Sequence, residues 1–430
     1  MKFLRCNFQS RAYRLGLTTS TMKLSTQVLK CDPASISFQP GSENPDVSCS
    51  ETLQALRTAS HHLVDLLQPV AFPTETVYGL GALALNPSAV SRIFTTKGRP
   101  SDNPLIVHVS SLAMLRTLLP KDYSLSRPYQ VLLKHFWPGA LTLLFPRDPD
   151  IVPRIISANQ PTVAVRMPSH LVARALIAVA NAPIAAPSAN LSGKPSPTQA
   201  KHVLRDLEGR VGVILDGGAC DVGVESTVVD GLNDDGNLRV LRPGGVSVED
   251  IQRVLEEDMQ DCERIPQVLV HRRDYDDELI EQAPTTPGMK YRHYSPAVPV
   301  VLLYTSPPPA GITNFPALPL LASLKSKVTA GSRSVKIGIL TPTDSSLAKC
   351  ALPCESIHWR RYFLGPISKL SVIAHHLFDG LLTLESEGVD LIVVEEVPEV
   401  NEGLAVMNRL KKAATESIWI DFCQKSYHTN

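Results

Sequence analysis

The eight cysteines of this 430-residue chain form no Cys-x-x-Cys pair. The closest two, Cys350 and Cys354, have no second pair nearby, so the sequence indicates neither a zinc ribbon nor a disulfide framework. We therefore expect a protein of a reducing compartment, with no metal site built from its own side chains.

The chain also lacks any run of about 18 apolar residues, the length that a membrane-spanning helix requires. It has no excess of charge, since 42 Lys and Arg balance 42 Asp and Glu. These absences predict a protein without a membrane span and argue against one that coats nucleic acid by bulk charge. Any preference for an anion must come from a local cluster of cations.

Residues 1–50 differ from the rest in composition, because six Lys or Arg lie within residues 1–30 and no acidic residue precedes Asp32. This composition is typical of a mitochondrial presequence and equally of a disordered basic tail. Met22 offers a second start that would remove most of the basic residues. We expect a cytoplasmic protein, with a mitochondrial form as the alternative.

Helix-like and strand-like runs alternate between residues 54 and 245, which predicts an α/β domain with a large mixed sheet. A charged, proline-containing stretch at 246–297 is predicted to be a linker, and it includes the segment PGMKYRHYSP. Residues 298–424 alternate as strands and helices again, which predicts a smaller doubly wound domain with a parallel sheet. This second domain lacks a GxGxxG motif, so its fold alone indicates no nucleotide.

Lys97 and Arg99 lie two residues apart in TTKGRPSDNP, where Gly98 and Pro100 oppose a regular helix. In an extended loop, both cations would face the same side and could bind a polyphosphate. The alternative is a solvated basic turn that follows a helix C-terminus.

Two further residues stand at unusual places in predicted strands. His108 lies on the strand face opposite Leu105 and Val107, where a structural role is the alternative to binding. Arg166 ends the apolar run TVAVR, a place where an unpaired cation is unfavourable, so it needs an anionic partner.

A loop of small residues, APSANLSGKPSPT, directly follows another predicted strand. Ligands bind beyond the carboxyl ends of strands in open α/β sheets, so Ser188, Asn190, Ser192 and Ser196 are candidates for hydrogen bonds to phosphate or ribose. The Gly-Lys pair in this loop does not make a Walker A motif, because the first glycine and the following Ser or Thr are missing.

Catalytic nucleophile and zinc-hydrolase motifs are absent as well. The chain has no GxSxG elbow, no HExxH and no Ser-His-Asp order. Polar residues close the large domain in GVESTVVDG and LRPGG, including Glu225, Ser226 and Arg242. The pattern favours a site that positions anions over one that supplies a nucleophile.

Six segments, in this order, resemble the YrdC/Sua5 family, the threonylcarbamoyl-AMP synthases: FPTETVYGLG, KGRPSDNPLIVH, TVAVRMP, IAAPSANLSGKPSPT, GVESTVV and LRPG. The resemblance continues through PGMKYRHYSP into the second domain, as in the long, two-domain Sua5 form. It implies a twisted mixed sheet around a concave basic cavity. It also implies that L-threonine, bicarbonate and ATP, with Mg²⁺, give threonylcarbamoyl-AMP and pyrophosphate for t6A37 synthesis in tRNA.

The resemblance also implies roles for individual residues. The tetrad Lys97, Arg99, Ser188 and Asn190 would be catalytic. ATP would be bound by Arg99, Asn103, Thr162, Ser188, Ser196, Arg242 and Tyr291, with Lys97 and Asn190 beside it. Threonine would be bound by Thr76, His108, Arg166, Ala186 and Ser226, with Arg166 facing its carboxylate. The product would pass to a tRNA threonylcarbamoyltransferase.

Three alternatives remain open from the sequence. The fold could serve as an RNA-binding module with weak affinity, or as a related carbamoyl or adenylyl transferase. The PGMKYRHYSP segment, whose Tyr291 or His293 could reach ATP, is either a lid over the nucleotide or a rigid spacer.

Overall fold

The computed structural model describes residues 24–278, 285, 293–328, 334–352 and 357–422. Its larger part contains thirteen strands and eight α-helices. In chain order they are β1 (Gln27–Lys30), β2 (Ile36–Ser37), β3 (Asp46–Val47), α1 (Ser50–Val64), β4 (Val70–Phe72), β5 (Gly79–Leu83), α2 (Pro87–Lys97), β6 (Ile106–His108), α3 (Leu112–Arg116), α4 (Arg127–Phe136), β7 (Leu141–Pro146), α5 (Arg154–Ser157), β8 (Thr162–Arg166), α6 (Leu171–Ala180), β9 (Ile184–Ala185), α7 (Ala200–Leu207), β10 (Val213–Asp216), β11 (Thr227–Asp230), β12 (Leu238–Arg242), α8 (Val248–Asp258) and β13 (Val268–Val270).

Eleven of these strands form one sheet in the order β1-β10-β4-β5-β9-β6-β8-β7-β11-β12-β13. Parallel pairs such as β6 with β8 and antiparallel pairs such as β7 with β8 occur in the same sheet, which confirms the predicted mixed sheet. The apolar runs are buried because helices cover the sheet; α1 and α6, for example, bury Leu56, Leu63 and Leu176 together with Phe72 of β4.

The prediction for residues 1–50 is wrong over its second half. Strand β1 pairs in parallel with β10 from Gln27 to Lys30 and forms the edge of the large sheet. Composition hid this strand because an edge strand exposes most of its side chains. Residues 1–23, where the basic presequence or tail is predicted, lie outside the described part.

Helix α8 and strand β13 follow the boundary predicted at residue 245 and pack on the large domain. Helix α8 packs against α4 through Val254 and Leu255, and β13 extends the large sheet by pairing in parallel with β12. The first 25 residues of the predicted linker therefore pack with the large domain, because their apolar side chains join its core.

The second domain contains β14 (Val300–Tyr304), β15 (Asn314–Pro316), α9 (Ala317–Ser323), β16 (Val335–Thr341), α10 (Ser346–Lys349), β17 (Ile357–Phe363), α11 (Leu370–Ser386), β18 (Leu391–Glu395), α12 (Glu402–Ala413) and β19 (Glu416–Asp421). Its six strands have the order β15-β19-β14-β18-β16-β17 and all pair in parallel. The predicted parallel sheet is confirmed, with β15, β17 and β19 added to the three strands that the apolar runs indicated.

The two domains share a tightly packed interface. Val77 and Val224 of the large domain belong to the same apolar cluster as Leu377 of α11. Gly223 has a positive φ of 77°, and a Cβ there would come within 2.4 Å of the His375 backbone. Only glycine lets the GVES segment and α11 approach so closely.

The described helices include none that is both long and apolar enough to cross a membrane.

Candidate functional site

The end of α2 places the first cation of the site. Asn86 caps the helix at its start with Pro87 in the first turn, and Gly98 ends it in the left-handed conformation at φ 61°. Lys97 is therefore the last helical residue, which corrects the expectation of an extended loop. The left-handed turn at Gly98 redirects the chain, so that Lys97 and Arg99 nevertheless line the same pocket.

Lys97 reaches the small-residue loop that follows β9. Its Nζ donates hydrogen bonds to the backbone oxygens of Ser188 and Asn190, the latter at 2.5 Å. Burial, together with the neighbouring Arg99, holds the pKa of Lys97 well below its ordinary value. An anion at this point would favour the charged ammonium, so the lysine is suited to bind phosphate.

Arg99 is half-buried and its guanidinium donates to the backbone oxygens of Asn103 and Pro104, at 3.4 and 3.0 Å. Asn103 is buried, but its side chain does not line the pocket. The Asn103 carbonyl thus orients Arg99. The predicted contact between the Asn103 side chain and ATP stays a prediction.

Arg166, at the end of β8, pairs with Glu75, the anionic partner that the sequence predicted it to need. Its Nη2 donates to Oε1 of Glu75, its Nη1 to Oγ1 of Thr76 at 2.8 Å, and its Nε to the Gly139 carbonyl at 3.0 Å. A guanidinium carries five N–H groups, so one N–H on each terminal nitrogen is left after these three bonds. Glu75 fixes the plane of the guanidinium and leaves a fork for a carboxylate.

His108 stands beside Arg166, because β6 and β8 pair with these two residues in register. Burial and the nearby Arg166 lower the pKa of His108 to about 3, so the imidazole is neutral near pH 7. Its buried Nδ1 has no hydrogen-bond partner among the described residues. A neutral imidazole that lines the pocket can bind a hydroxyl or an amine without adding charge.

A second layer of charges joins the pocket to the second domain. Glu225 accepts a hydrogen bond from Oγ of Ser196 at 2.5 Å and pairs with Arg409 of α12 at 3.0 Å. Although burial alone would raise the pKa of Glu225, Arg409 and Arg242 lower it below its ordinary value. Arg242 donates to the Ser226 carbonyl at 2.9 Å and to its hydroxyl at 3.2 Å.

The described end of the PGMKYRHYSP segment forms one wall of the pocket. His293 and Tyr294 line it, and the Ser295 N–H donates to the Gly193 carbonyl at 2.9 Å. Burial and the nearby Arg99 lower the pKa of His293 to about 4. The free cavity is about 70 Å³, well below the ~300–1,000 Å³ that is usual for ligand pockets. Tyr291 lies outside the described residues.

The pocket brings together most of the predicted site residues. They are Thr76, Lys97, Arg99, His108, Arg166, Ala186, Ser188, Asn190, Ser196, Ser226 and Arg242. Thr162 does not line the pocket; it begins β8, whereas Arg166 ends that strand. Its contact with ATP stays a prediction.

The sequence did not mark Glu75 or Arg409 as site residues, and it indicated Glu225 without its partner Arg409. Glu75 lay within a quoted motif, between two threonines, but nothing marked it as the partner of Arg166. Arg409 carried a detectable signal, since it shares the apolar face of α12 with Ala405 and Ala413 at helical spacing.

The residues that the structure describes contain no cluster of three His, Cys, Asp or Glu side chains able to hold a metal ion. Glu225 is the carboxylate among the described pocket-lining residues, and Ser196 and Arg409 already bind it.

Comparison with known proteins gives a consistent result. Residues 68–244 match the Sua5/YciO/YrdC family model, described as telomere recombination, and residues 246–415 match the threonylcarbamoyl-AMP synthase C-terminal domain. A threonylcarbamoyl-AMP synthase of Schizosaccharomyces pombe is 42% identical over 91% of this chain and 98% of its own. One of Pyrococcus abyssi is 41% identical over 80% of this chain and 90% of its own. The crystal structure of P. abyssi Sua5 complexed with L-threonine superposes with a TM-score of 0.70 at 35% identity, covering 91% of this chain and 99% of that one.

Proposed function

The chain belongs to the Sua5/YrdC family of threonylcarbamoyl-AMP synthases, and from this premise we propose how its pocket joins threonine to ATP. L-Threonine binds beside Arg166 and His108, and ATP binds beside Lys97, Arg99 and the loop with Ser188 and Asn190. The observation that carries this division is one cavity lined both by Arg166 with the neutral His108 and by Lys97 with Arg99.

At the threonine end, the N–H groups left on Arg166 bind the substrate carboxylate in a fork. The neutral imidazole of His108 binds the hydroxyl or the amine of threonine. Because the pKa of this imidazole is lowered to about 3, the ring is neutral at pH 7 and does not add a second cation beside Arg166. The free amine can then attack CO₂ and release a proton, or attack bicarbonate with loss of water, to give a carbamate.

At the ATP end, a carboxylate oxygen of the carbamate attacks the α-phosphorus. The bond from that phosphorus to the oxygen bridging to the β-phosphate breaks, and pyrophosphate leaves. The substrates supply both nucleophiles, so the protein contributes orientation and charge neutralisation. Lys97 and Arg99 offset the charge that develops on the phosphates. The absence of a nucleophile motif from the sequence is consistent with this mechanism.

We propose that Mg²⁺ enters with ATP and adds charge neutralisation at the phosphates when bound. Mg²⁺ commonly uses one or two carboxylates together with substrate phosphates and water. Glu225 is the pocket carboxylate that suits this role, although its present bonds to Ser196 and Arg409 mean that phosphates and water would supply most ligands.

The first test is the dependence of pyrophosphate release on the other substrates. We expect release from ATP only when threonine and bicarbonate are both present, with threonylcarbamoyl-AMP identified by mass spectrometry. Serine, which lacks the methyl group of threonine, is the control amino acid added in place of threonine. Release that is independent of threonine would refute the proposed reaction.

We propose that the PGMKYRHYSP segment acts as a lid over ATP through its described residues His293 and Tyr294. The free cavity of about 70 Å³ is too small for ATP and threonine together. His293 and Tyr294 form one wall, so displacement of this wall would make room for the nucleotide. The lid would then exclude the water that destroys a carbamate.

His293→Ala should raise the KM for ATP about tenfold and leave the KM for threonine nearly unchanged, because one ligand-binding contact is worth roughly 1–2 kcal/mol. Steady-state kinetics with each substrate varied gives both constants. His358→Ala, an exposed histidine on β17, is the matched control. If His293→Ala behaves like the control, the segment is a spacer.

We further propose that the product passes to a tRNA threonylcarbamoyltransferase for t6A synthesis. The cytoplasm is the proposed location, with the mitochondrial form as the alternative, on the composition of residues 1–30. The cations of the pocket are mostly buried, which favours small substrates over an RNA surface.

A further inference from the structure

Lys194 is a pocket residue to which the proposed reaction gives no role. It lies in the small-residue loop that follows β9, and it lines the same pocket as Lys97. The sequence excludes a Walker A motif around it. A lysine outside that motif can nevertheless bind phosphate as a compact point charge, because its ammonium requires no particular loop geometry.

Hydrogen bonds fix the backbone of this loop against Lys97. The Ser192 N–H donates to the backbone carbonyl of Lys97 at 3.0 Å. The side-chain amide of Asn190 donates to the Lys194 carbonyl at 2.9 Å. Since the Lys97 ammonium in turn bonds the backbone carbonyl of Asn190, the loop holds the backbone of Lys194 beside the residues that bind Lys97.

Asp206 of α7 holds the side chain of Lys194. Oδ1 of Asp206 accepts a hydrogen bond from the Lys194 ammonium at 3.3 Å, and Oδ2 accepts one from the Leu191 N–H at 3.3 Å. The Lys194 side chain is 35% exposed, whereas that of Asp206 is 3% exposed and does not line the pocket. The carboxylate therefore lies behind the lysine as seen from the pocket.

This ion pair leaves Lys194 able to bind a ligand. An ammonium has three N–H groups, so two remain after the hydrogen bond to Asp206. Arg205 pairs with the same carboxylate at 3.8 Å. Asp206 therefore keeps a neighbouring cation if the Lys194 ammonium turns toward a ligand in the pocket.

The same carboxylate acts on Lys97. Burial and Arg99 lower the pKa of Lys97, and Asp206 opposes that effect. Asp206 therefore lies near both lysines of the pocket. A phosphate that contacts both ammonium groups would be attracted by two cations, while the carboxylate stays buried on the far side of Lys194.

We propose that Lys194 is a further phosphate-binding residue for ATP, which it contacts through the N–H groups that Asp206 leaves available. The inference rests on the proposed function, which places ATP beside Lys97. The alternative is that Lys194 only braces the loop, by tying it to α7 through Asp206. The two roles differ in what happens when the charge of either partner is removed.

Calorimetric titration of the full chain with Mg²⁺ and ATP, in buffer depleted of bicarbonate and CO₂, measures binding without turnover. Lys194→Ala should raise the dissociation constant for ATP about tenfold or more, because a lost hydrogen bond to a charged group costs about one to two decades in affinity. The affinity for threonine should not change. Lys194→Arg should keep most of the ATP affinity, because arginine also binds phosphate. Lys201→Ala, which removes an exposed lysine of α7 outside the pocket, is the matched control.

Asp206→Asn separates a phosphate contact from a brace. The asparagine side-chain oxygen can still accept from the Leu191 N–H, whereas the ion pair with Lys194 is lost. We expect this variant to bind ATP with near wild-type affinity. The dissociation constant of Lys194→Ala should also depend less on salt concentration than that of the wild type, because one cation no longer contacts the phosphates.

An unchanged ATP affinity in Lys194→Ala would overturn the inference. Equal losses in Lys194→Ala and Asp206→Asn would overturn it as well, since a brace requires both partners. Thermal unfolding shows whether each variant is folded, and if Asp206→Asn is not, a salt dependence of Lys194→Ala equal to that of the wild type decides against the contact. Threonine-dependent pyrophosphate release by the wild-type protein tests the proposed function separately, and it can succeed where the role of Lys194 fails.

Discussion

Replacing Lys97 by alanine should lower turnover about 10²–10³-fold, the usual effect of removing one preorganised donor to a transition state. In the structure, its ammonium lies against the loop with Ser188 and Asn190 and lines the pocket. No other lysine can replace it from the same helix, because Lys97 is the single lysine of α2. Single-turnover measurement with saturating threonine and bicarbonate gives the rate of the chemical step.

The variant needs a control because Lys97 also bonds two backbone carbonyls. Arg92→Ala removes an exposed cation from the same helix, whose guanidinium donates to the Leu66 carbonyl at 3.0 Å. It should keep near-normal turnover. If Lys97→Ala is folded by circular dichroism and also keeps near-normal turnover, Lys97 does not neutralise charge on ATP. Arg99→Ala should resemble Lys97→Ala in turnover.

Arg409→Met should lower the free energy of unfolding by about 3–5 kcal/mol, because it leaves a buried carboxylate without its cation. Arg409 is fully buried in α12 and pairs with Glu225, which is also buried. Methionine keeps much of the arginine stem, so the cost comes mainly from the charge. Urea unfolding, followed by fluorescence and by circular dichroism, measures the change.

The pH dependence of the free energy of unfolding tests whether Glu225 is the carboxylate responsible for the loss. The pKa of Glu225 is lowered in the folded wild type, so its contribution to stability is present above the unfolded value of about 4.3 and is lost as the pH falls through the folded pKa. Without Arg409, the pKa of Glu225 rises from this lowered value because fewer positive charges oppose the effect of burial, so ionised Glu225 is less favourable in the folded state at neutral pH. The deficit of Arg409→Met should therefore shrink as the pH is lowered.

The matched control removes both charges. Arg409→Met/Glu225→Gln should recover part of the lost stability, because a neutral amide can still accept the hydrogen bond from Ser196. A double variant no more stable than Arg409→Met would show that the loss comes from packing and not from the unpaired charge.

Short-range sequence preferences predicted the parts of the site that lie close together along the chain. Asn86 and Gly98 bound α2 as capping preferences require, and the motif around Lys97 and Arg99 does line a pocket. The predicted extended conformation at Lys97 was wrong, because the helix continues up to Gly98, which ends it. Pro100 lies beyond the end of the helix and does not interrupt it.

Long-range partners could not be predicted in the same way. The sequence showed that Arg166 needed an anion, but Glu75 is 91 residues away and only the folded sheet brings the two together. Arg409 and Glu225 are separated by 184 residues and lie in different domains. Helical periodicity could mark Arg409 as buried, whereas the identity of its partner depends on how α12 docks onto the large domain.

Strand β1 sets a limit on how far the N-terminus can be shortened. Oγ1 of Thr26 bonds the Val211 carbonyl at 2.7 Å and accepts from the Gly209 N–H at 2.8 Å, and the strand begins one residue later. A polypeptide that starts at Met22 keeps all of these contacts. Cleavage after residue 30 would instead expose the edge of β10 and create a new surface for pairing between molecules. Proteolytic trimming therefore has a structural end point near residue 25.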